Sequence, residues 1–401
     1  MKKVLALGLA LMMCLSLVSF AGAEGYSGEI CIWVTEKVVG FTEEQVKTFK
    51  ELHPEYADMT VKIESVGEDT AASQMIKDVQ NGADLFVFAQ DQLARLVAAG
   101  ALIDVAPENA EIIRAENDAG AVAAVTLGDT MYAYPMTSDN GYFLYYDKSV
   151  VTDPSSLEQI LADCEAAGKN FYFHINNGWY QYAFFNGAGC EMTFDCNDEG
   201  NLVDMHSTYA TENGVRALRA MIKMAKSPAF KSGSSVNDAT NLAAIVVGTW
   251  DSAAAHKAFG EYFGVAKLPT VDGYQLGGFG GFKMLGVKPQ TDEDKLAACD
   301  ALAAYLSSGE VQLARFNAVG WGPSNLAAQQ SEDVQKDEVL AALAAQLAFT
   351  SPQGQYPDGF WQASEALGND IIAGKLNDLD DDALMEKLVQ FEQICEDTLN
   401  K

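Results

Sequence analysis

The alternation of short apolar strands with helices across residues 29–99 constrains this chain more than any other feature. Residues 29–34 (EICIWV), 60–66 and 84–89 read as strands, and the segments between them, 42–52 and 71–81, read as helices. Thr42 is placed to cap the first helix, with Glu43 and Glu44 in its opening turn where the helix dipole favours acids. A third helix, 92–99, is stopped by Gly100. This βαβαβ order predicts a parallel sheet covered by helices. In open α/β sheets, ligands sit beyond the carboxyl ends of the strands. Glu36 and Lys37 follow the first strand and Asp91 follows the third, so all three belong to one rim. Asp91 also has a plainer reading, as the N-cap of the helix after it.

Further along, residues 130–135 (TMYAYP) and 142–146 (YFLYY) are strand-like around the polar run Thr137, Ser138, Asp139 and Asn140. Such a break between aromatic strands is expected where a chain crosses between lobes. The run GGFGGF at 277–282 is neither GxGxxG nor a P-loop, and it suits a second crossing with little side-chain obstruction. These crossings divide the chain into an N-terminal lobe, 24–138 with 283–330, and a C-terminal lobe, 139–282 with 331–401. In the second lobe, Ser155 is placed to cap a helix, a strand at 171–175 ends near Asn177, Trp179 and Tyr180, and a strand at 244–247 ends at Trp250 and Asp251. Trp179 and Tyr180 are either core anchors or stacking surfaces. Asp272-Gly273 reads as a tight turn, Thr291 as the cap of a helix to 306, 320–323 as a loop, 332–347 as one helix, and PDGFW at 357–361 as an aromatic entry to another.

The ends and totals exclude several classes. Two lysines, an apolar run from 4 to 20 and Ala21-Gly22-Ala23 form the pattern of a cleavable secretory signal over 1–23. Cys14 poses the question of lipidation, but the bulky Met13 precedes it and the apolar run continues past it. The formal charge is −30, and two units more negative once Lys2 and Lys3 are removed with the leader. So acidic a surface repels phosphate backbones and anionic lipids, but not an uncharged ligand. Cys31, Cys164, Cys299 and Cys395 fall in apolar or helical patterns that suit buried thiols, while Cys190 and Cys196 are close enough for a local disulfide. No CxxC or HxxxH pair proposes zinc. The stretch 195–200 begins like a calcium loop, but its twelfth position is His206, which cannot supply the bidentate carboxylate.

Taken in order, ICIWVTEKVVG, ADLFVFAQD with AAGALIDVAP, MYAYPMTSDNGYFLYYDK, Asn-Gly-Trp-Tyr, VGTWDSA, FGVAKLPT and the late PDGFW make the chain resemble the bacterial extracellular sugar-binding proteins of ABC importers, in particular the maltose/maltodextrin-binding proteins. The resemblance implies a two-lobe, periplasmic-binding-protein-like α/β fold with a ligand cleft between lobes and hinge crossings. It matches Glu36 and Lys37 to a sugar-binding acid and lysine, Asp91 to a hydroxyl-binding aspartate, Asp139 to an acidic position after the first crossing, and Trp179, Trp250 and Trp361 to stacking aromatics. Tyr180 and Phe88 join these as aromatic candidates, although Phe88 replaces a tryptophan. Gln92 stands in place of an arginine, and Asn177 in place of a carboxylate.

The expectation is therefore an extracytoplasmic monomer, without cofactor, that captures malto-oligosaccharides for a membrane permease and performs no chemistry. Two alternatives stay open. A secreted glycosidase also needs two carboxylates flanking a sugar, though nothing in the sequence suggests an apolar pocket that would raise a carboxyl pKa. A surface protein that holds starch granules would use the same aromatic residues.

Overall fold

The computed structural model describes residues 25–197 and 200–399. The expected signal peptide and Cys14 lie outside these residues. The predicted parallel core is present: strand Glu29–Val34 pairs in parallel with Thr60–Ser65 on one side and Leu85–Ala89 on the other. The sheet then changes direction, because Gly278–Val287 pairs antiparallel with both Leu85–Ala89 and Ala133–Asn140. Thr350–Pro352 closes that edge in parallel against Gly278, Phe279 and Gly280.

A second sheet has the order Phe230–Lys231, Asn170–Tyr172, Leu242–Val247, Phe143–Asp147, Phe263–Ala266. Period-two alternation gives it two buried faces. Leu144, Ala244 and Val246 join a core with the helices Gly178–Gly187, Glu212–Ala225 and Asp381–Asp397, while Phe143, Tyr145, Ile245 and Val247 pack with Phe259 and Leu343 on the other side. The first sheet has its own core around Phe49, Phe86, Leu285 and Leu302. Two sheets with separate cores make two lobes, joined at Gly141 and along Gly278–Val287.

Several local expectations shift. The run at 137–140 is not a polar break but the end of the continuous strand Ala133–Asn140, with Thr137 and Asp139 fully buried. Thr42 lies inside the helix Val39–Leu52, where its hydroxyl donates to the Val38 carbonyl at 2.7 Å rather than capping. Ser156 and Asp292 cap their helices in place of Ser155 and Thr291. The segment 332–347 breaks at Asp337, whose extended backbone and side chain start a new helix, Glu338–Leu347. Cys190 is a buried free thiol, so it forms no disulfide with Cys196.

Candidate ligand cleft

Each parallel strand of the first sheet delivers polar residues to one cavity of about 670 Å³. Thr35 and Lys37 follow the first strand, Glu68 and Asp69 the second, and Asp91 and Arg95 the third. Gln92 ties two of these loops together. Its side chain donates to the carbonyls of Glu68 at 3.2 Å and Asp69 at 3.1 Å and accepts from the Ala72 amide at 3.3 Å. The residue that departs from an arginine thus fastens the Glu68–Asp69 loop to the Asp91 strand end.

Asp91 caps neither short helix beside it, as both lack a side-chain capping bond. It is 6% exposed, and burial pushes its carboxyl up to about 7 against the opposing pull of its own backbone amide and Arg95. Burial, with Glu68 beside it, also raises Asp69. Desolvation disfavours the charged form, so both carboxyls hold their protons to higher pH than a solvated aspartate does.

The facing wall is aromatic. Asn177 caps the helix Gly178–Gly187 by accepting from the Trp179 amide at 3.0 Å, which places Trp179 and Tyr180 in the first turn at the cavity. Trp179 stands edge-on to Tyr142 at 4.6 Å, and its indole N–H donates to Gln353 at 3.3 Å. Trp250 follows strand Leu242–Val247, with its ring centroid 5.7 Å from that of Trp179. A side chain at Gly248 would place its Cβ 2.2 Å from the Trp250 ring, so glycine is what lets the ring lie over the backbone. Trp361, in the first turn of Asp358–Ile372, is held edge-on by Phe360 at 4.8 Å. His174 and Ser234 add a neutral polar pair, 3.0 Å apart, with burial holding the imidazole pKa low.

Contacts span the gap between the walls. Lys37 Nζ donates to the Trp250 carbonyl at 2.7 Å and pairs with Asp251 at 2.5 Å, and Arg95 pairs with Asp358 at 3.1 Å. Gln355 donates to the Gln90 carbonyl and accepts from the Ala94 amide.

Lys37, Asp91, Trp179, Tyr180, Trp250 and Trp361 therefore meet at one cavity. The other three candidates do not. Phe88 is fully buried in the first core, 5.6 Å from Phe86, because residues two apart on a strand share a face. Glu36 is exposed and outside the lining, since the one-turn helix Glu36–Val38 rotates it away. Asp139 is 1% exposed and accepts from Thr249 Oγ1 at 2.6 Å and the Gly322 amide at 2.7 Å, bracing the crossing; its neighbour Asn140 lines the cavity instead. Sequence reasoning does not single out Glu68, Asp69, Arg95, Trp321, Gln353 or Asp358. Glu68 and Asp69 were within reach of the strand-end rule, while Trp321 carries no local signal at all. Among the described residues no His/Cys/Asp/Glu cluster could hold a metal, and no helix is long and apolar enough to cross a membrane.

Residues 44–342 match the model of a family described as bacterial extracellular solute-binding protein. The chain belongs to that family. This solute-binding protein is 25% identical over 356 residues to the maltodextrin-binding protein MdxE of Bacillus subtilis (strain 168), with 83% of each chain covered. Its fold is similar to a structure solved with acarbose, at TM-score 0.80 and 26% identity over 92% of this chain and 98% of that one. It is also similar in fold to the Thermus thermophilus maltotriose-binding protein bound with maltotriose, at TM-score 0.76 and 21% identity over 92% and 99%. The two-lobe α/β architecture of the solute-binding protein is thus shared with known sugar-binding proteins.

Proposed function

We propose that this protein captures malto-oligosaccharides outside the cytoplasm and hands them to the membrane subunits of an ABC importer, without altering them. One observation carries the reading: the buried carboxyl of Asp91, with Glu68 and Asp69 beside it, shares one cavity with tryptophans of the other lobe. A pyranose ring offers an apolar C–H face that stacks on indole and a hydroxyl rim that donates to carboxylates in charge-assisted hydrogen bonds. The cavity, about 670 Å³, falls within the range of ligand pockets. The similarity to MdxE and to the acarbose-bound structure supports the α-glucan class. Closure about the crossings is a hinge motion in which ligand favours the closed state. Calorimetry with maltose, maltotriose and longer dextrins tests the reading; no heat with any of them overturns it.

One observation favours the glycosidase alternative, because Asp91 has the raised pKa a general acid needs. The arrangement of the other acids argues against it. A glycosidase sets its two carboxyls on either side of the scissile bond. Glu68, Asp69 and Asp91 come from one wall, and the acids opposite, Asp251 and Asp358, are paired with Lys37 and Arg95. Incubation with dextrins is expected to yield no shorter products; their appearance would establish hydrolysis.

A further inference from the structure

Lys283 sits on the crossing strand Gly278–Val287, in register with Ala89 at the end of the central strand and with Thr137 on the other crossing strand. The strand pairing shifts on both sides of it. Its side chain is 1% exposed, so its ammonium has given up water and needs compensation from the protein. Glu68 supplies an ion pair at 3.2 Å. The remainder comes from π faces: Nζ lies 3.8 Å from the Trp321 ring centroid and 5.1 Å from that of Trp250. Nζ makes no hydrogen bond among the described residues.

All three partners line the cavity, while Lys283 stands behind them. Glu68 and Trp321 belong to the first lobe, and Trp250 to the second. The contact with Trp250 therefore joins the two lobes. Attraction of a cation to an indole strengthens as the pair is desolvated, and the Lys283 side chain is 1% exposed.

We infer that Lys283 is a positioning residue for the ligand cleft: its ammonium sets Trp250 against Trp321 and Glu68 as the lobes close, and so couples hinge closure to the shape of the stacking wall. This inference rests on the capture reading above. An uncharged side chain of similar length at 283 loses the attraction across the gap. A guanidinium keeps it, because arginine stacks on aromatic faces and retains its charge.

The test uses the full secreted chain and its Lys283→Met and Lys283→Arg variants. Each is titrated with maltotriose by calorimetry and by tryptophan emission, with thermal unfolding of the unliganded protein alongside. Lys283→Met is expected to weaken maltotriose binding about tenfold and to shrink the ligand-induced emission change, while Lys283→Arg stays within about threefold of the parent. Unchanged affinity in Lys283→Met, even with a lowered Tm, would make Lys283 a structural residue and overturn the inference. Equal losses in the two variants would do the same. Should Lys283→Met not fold, Lys283→Arg carries the test: retained affinity supports the inference, and a tenfold loss at unchanged Tm overturns it. If the parent itself binds no malto-oligosaccharide, the capture reading fails instead.

Discussion

The two walls of the cleft are built by different means. The polar wall comes from one continuous stretch of the chain, 35 to 95, and each of its acids stands just past a parallel strand. The aromatic wall gathers Trp179, Trp250 and Trp361 from helix starts and turns far apart in sequence, held by ring packing, one glycine and the amide of Gln353. The first wall is a set of aimed hydrogen-bonding groups with a cost in desolvation, and the second is area. The difference implies that the aromatic wall dominates affinity, while the polar wall sets selectivity and pH dependence.

The strongest way to break that division is to truncate an indole. Trp250→Ala is expected to weaken maltotriose binding on the order of a hundredfold, since buried aromatic anchors dominate binding energies. Calorimetry against Asp91→Asn decides the ranking. A greater loss from the aspartate than from the tryptophan would reverse the roles given to the walls.

Asp91 should show its own signature. Its carboxyl sits at about 7 in the folded protein, well above the 3.8 of an ordinary aspartate. Sugar hydroxyls donate to the ionised form, so binding favours proton loss. Affinity is expected to fall about tenfold as pH drops from 8 to 6, with protons released on binding. Calorimetry in buffers of different ionisation enthalpy measures that release. The stability effect has the opposite sense. Between pH 3.8 and 7 the folded state holds a proton that the unfolded state has lost, so stability declines as pH rises through this window. Asp91→Asn should therefore raise Tm at pH 8 and leave it unchanged near pH 4.

Legibility in the sequence followed the same division. The βαβαβ order and the strand-end rule located Lys37 and Asp91, because both arguments need only local pattern. They failed where one residue decides the direction of a side chain. Asp139 shares its strand parity with Thr137 and turns inward, while Asn140 takes the place at the cavity. Glu36 is rotated out by a single turn of helix. Helix starts slipped by one position wherever two capping residues adjoin, as at Ser155 and Ser156. Trp321 and Lys283 were out of reach for another reason. Trp321 is returned to the cleft by the left-handed Gly320 that ends helix Gly309–Val319, and its proximity to Lys283 is set by tertiary packing of that loop against the crossing strand. Gln92 reads in sequence as a lost arginine, whereas in the fold it fastens a neighbouring loop.

That fastening gives a prediction of intermediate size. Gln92→Ala removes three hydrogen bonds to the backbone at 68–72 and leaves the buried Ala72 amide and two half-buried carbonyls without them. A loss of about 1–3 kcal/mol in urea unfolding is expected, with a smaller effect on sugar affinity than Asp91→Asn. If affinity fell while stability held, Gln92 would be touching ligand and not the loop.

The smallest effect belongs to the bridge between the walls. Lys37 reaches across to Asp251, but its own side chain is 44% exposed, and solvent screens such a pair to at most about 1 kcal/mol. Asp251 also accepts from the Val236 amide at 2.7 Å, so its buried carboxylate keeps one partner when the lysine is gone. Lys37→Met should weaken maltotriose binding by only about threefold, and raising salt to about 0.5 M should weaken the parent by a similar factor while leaving the variant unmoved. Loss of a hundredfold in Lys37→Met, insensitive to salt, would mean that the ammonium binds the sugar directly, and the polar wall would then rival the aromatic one.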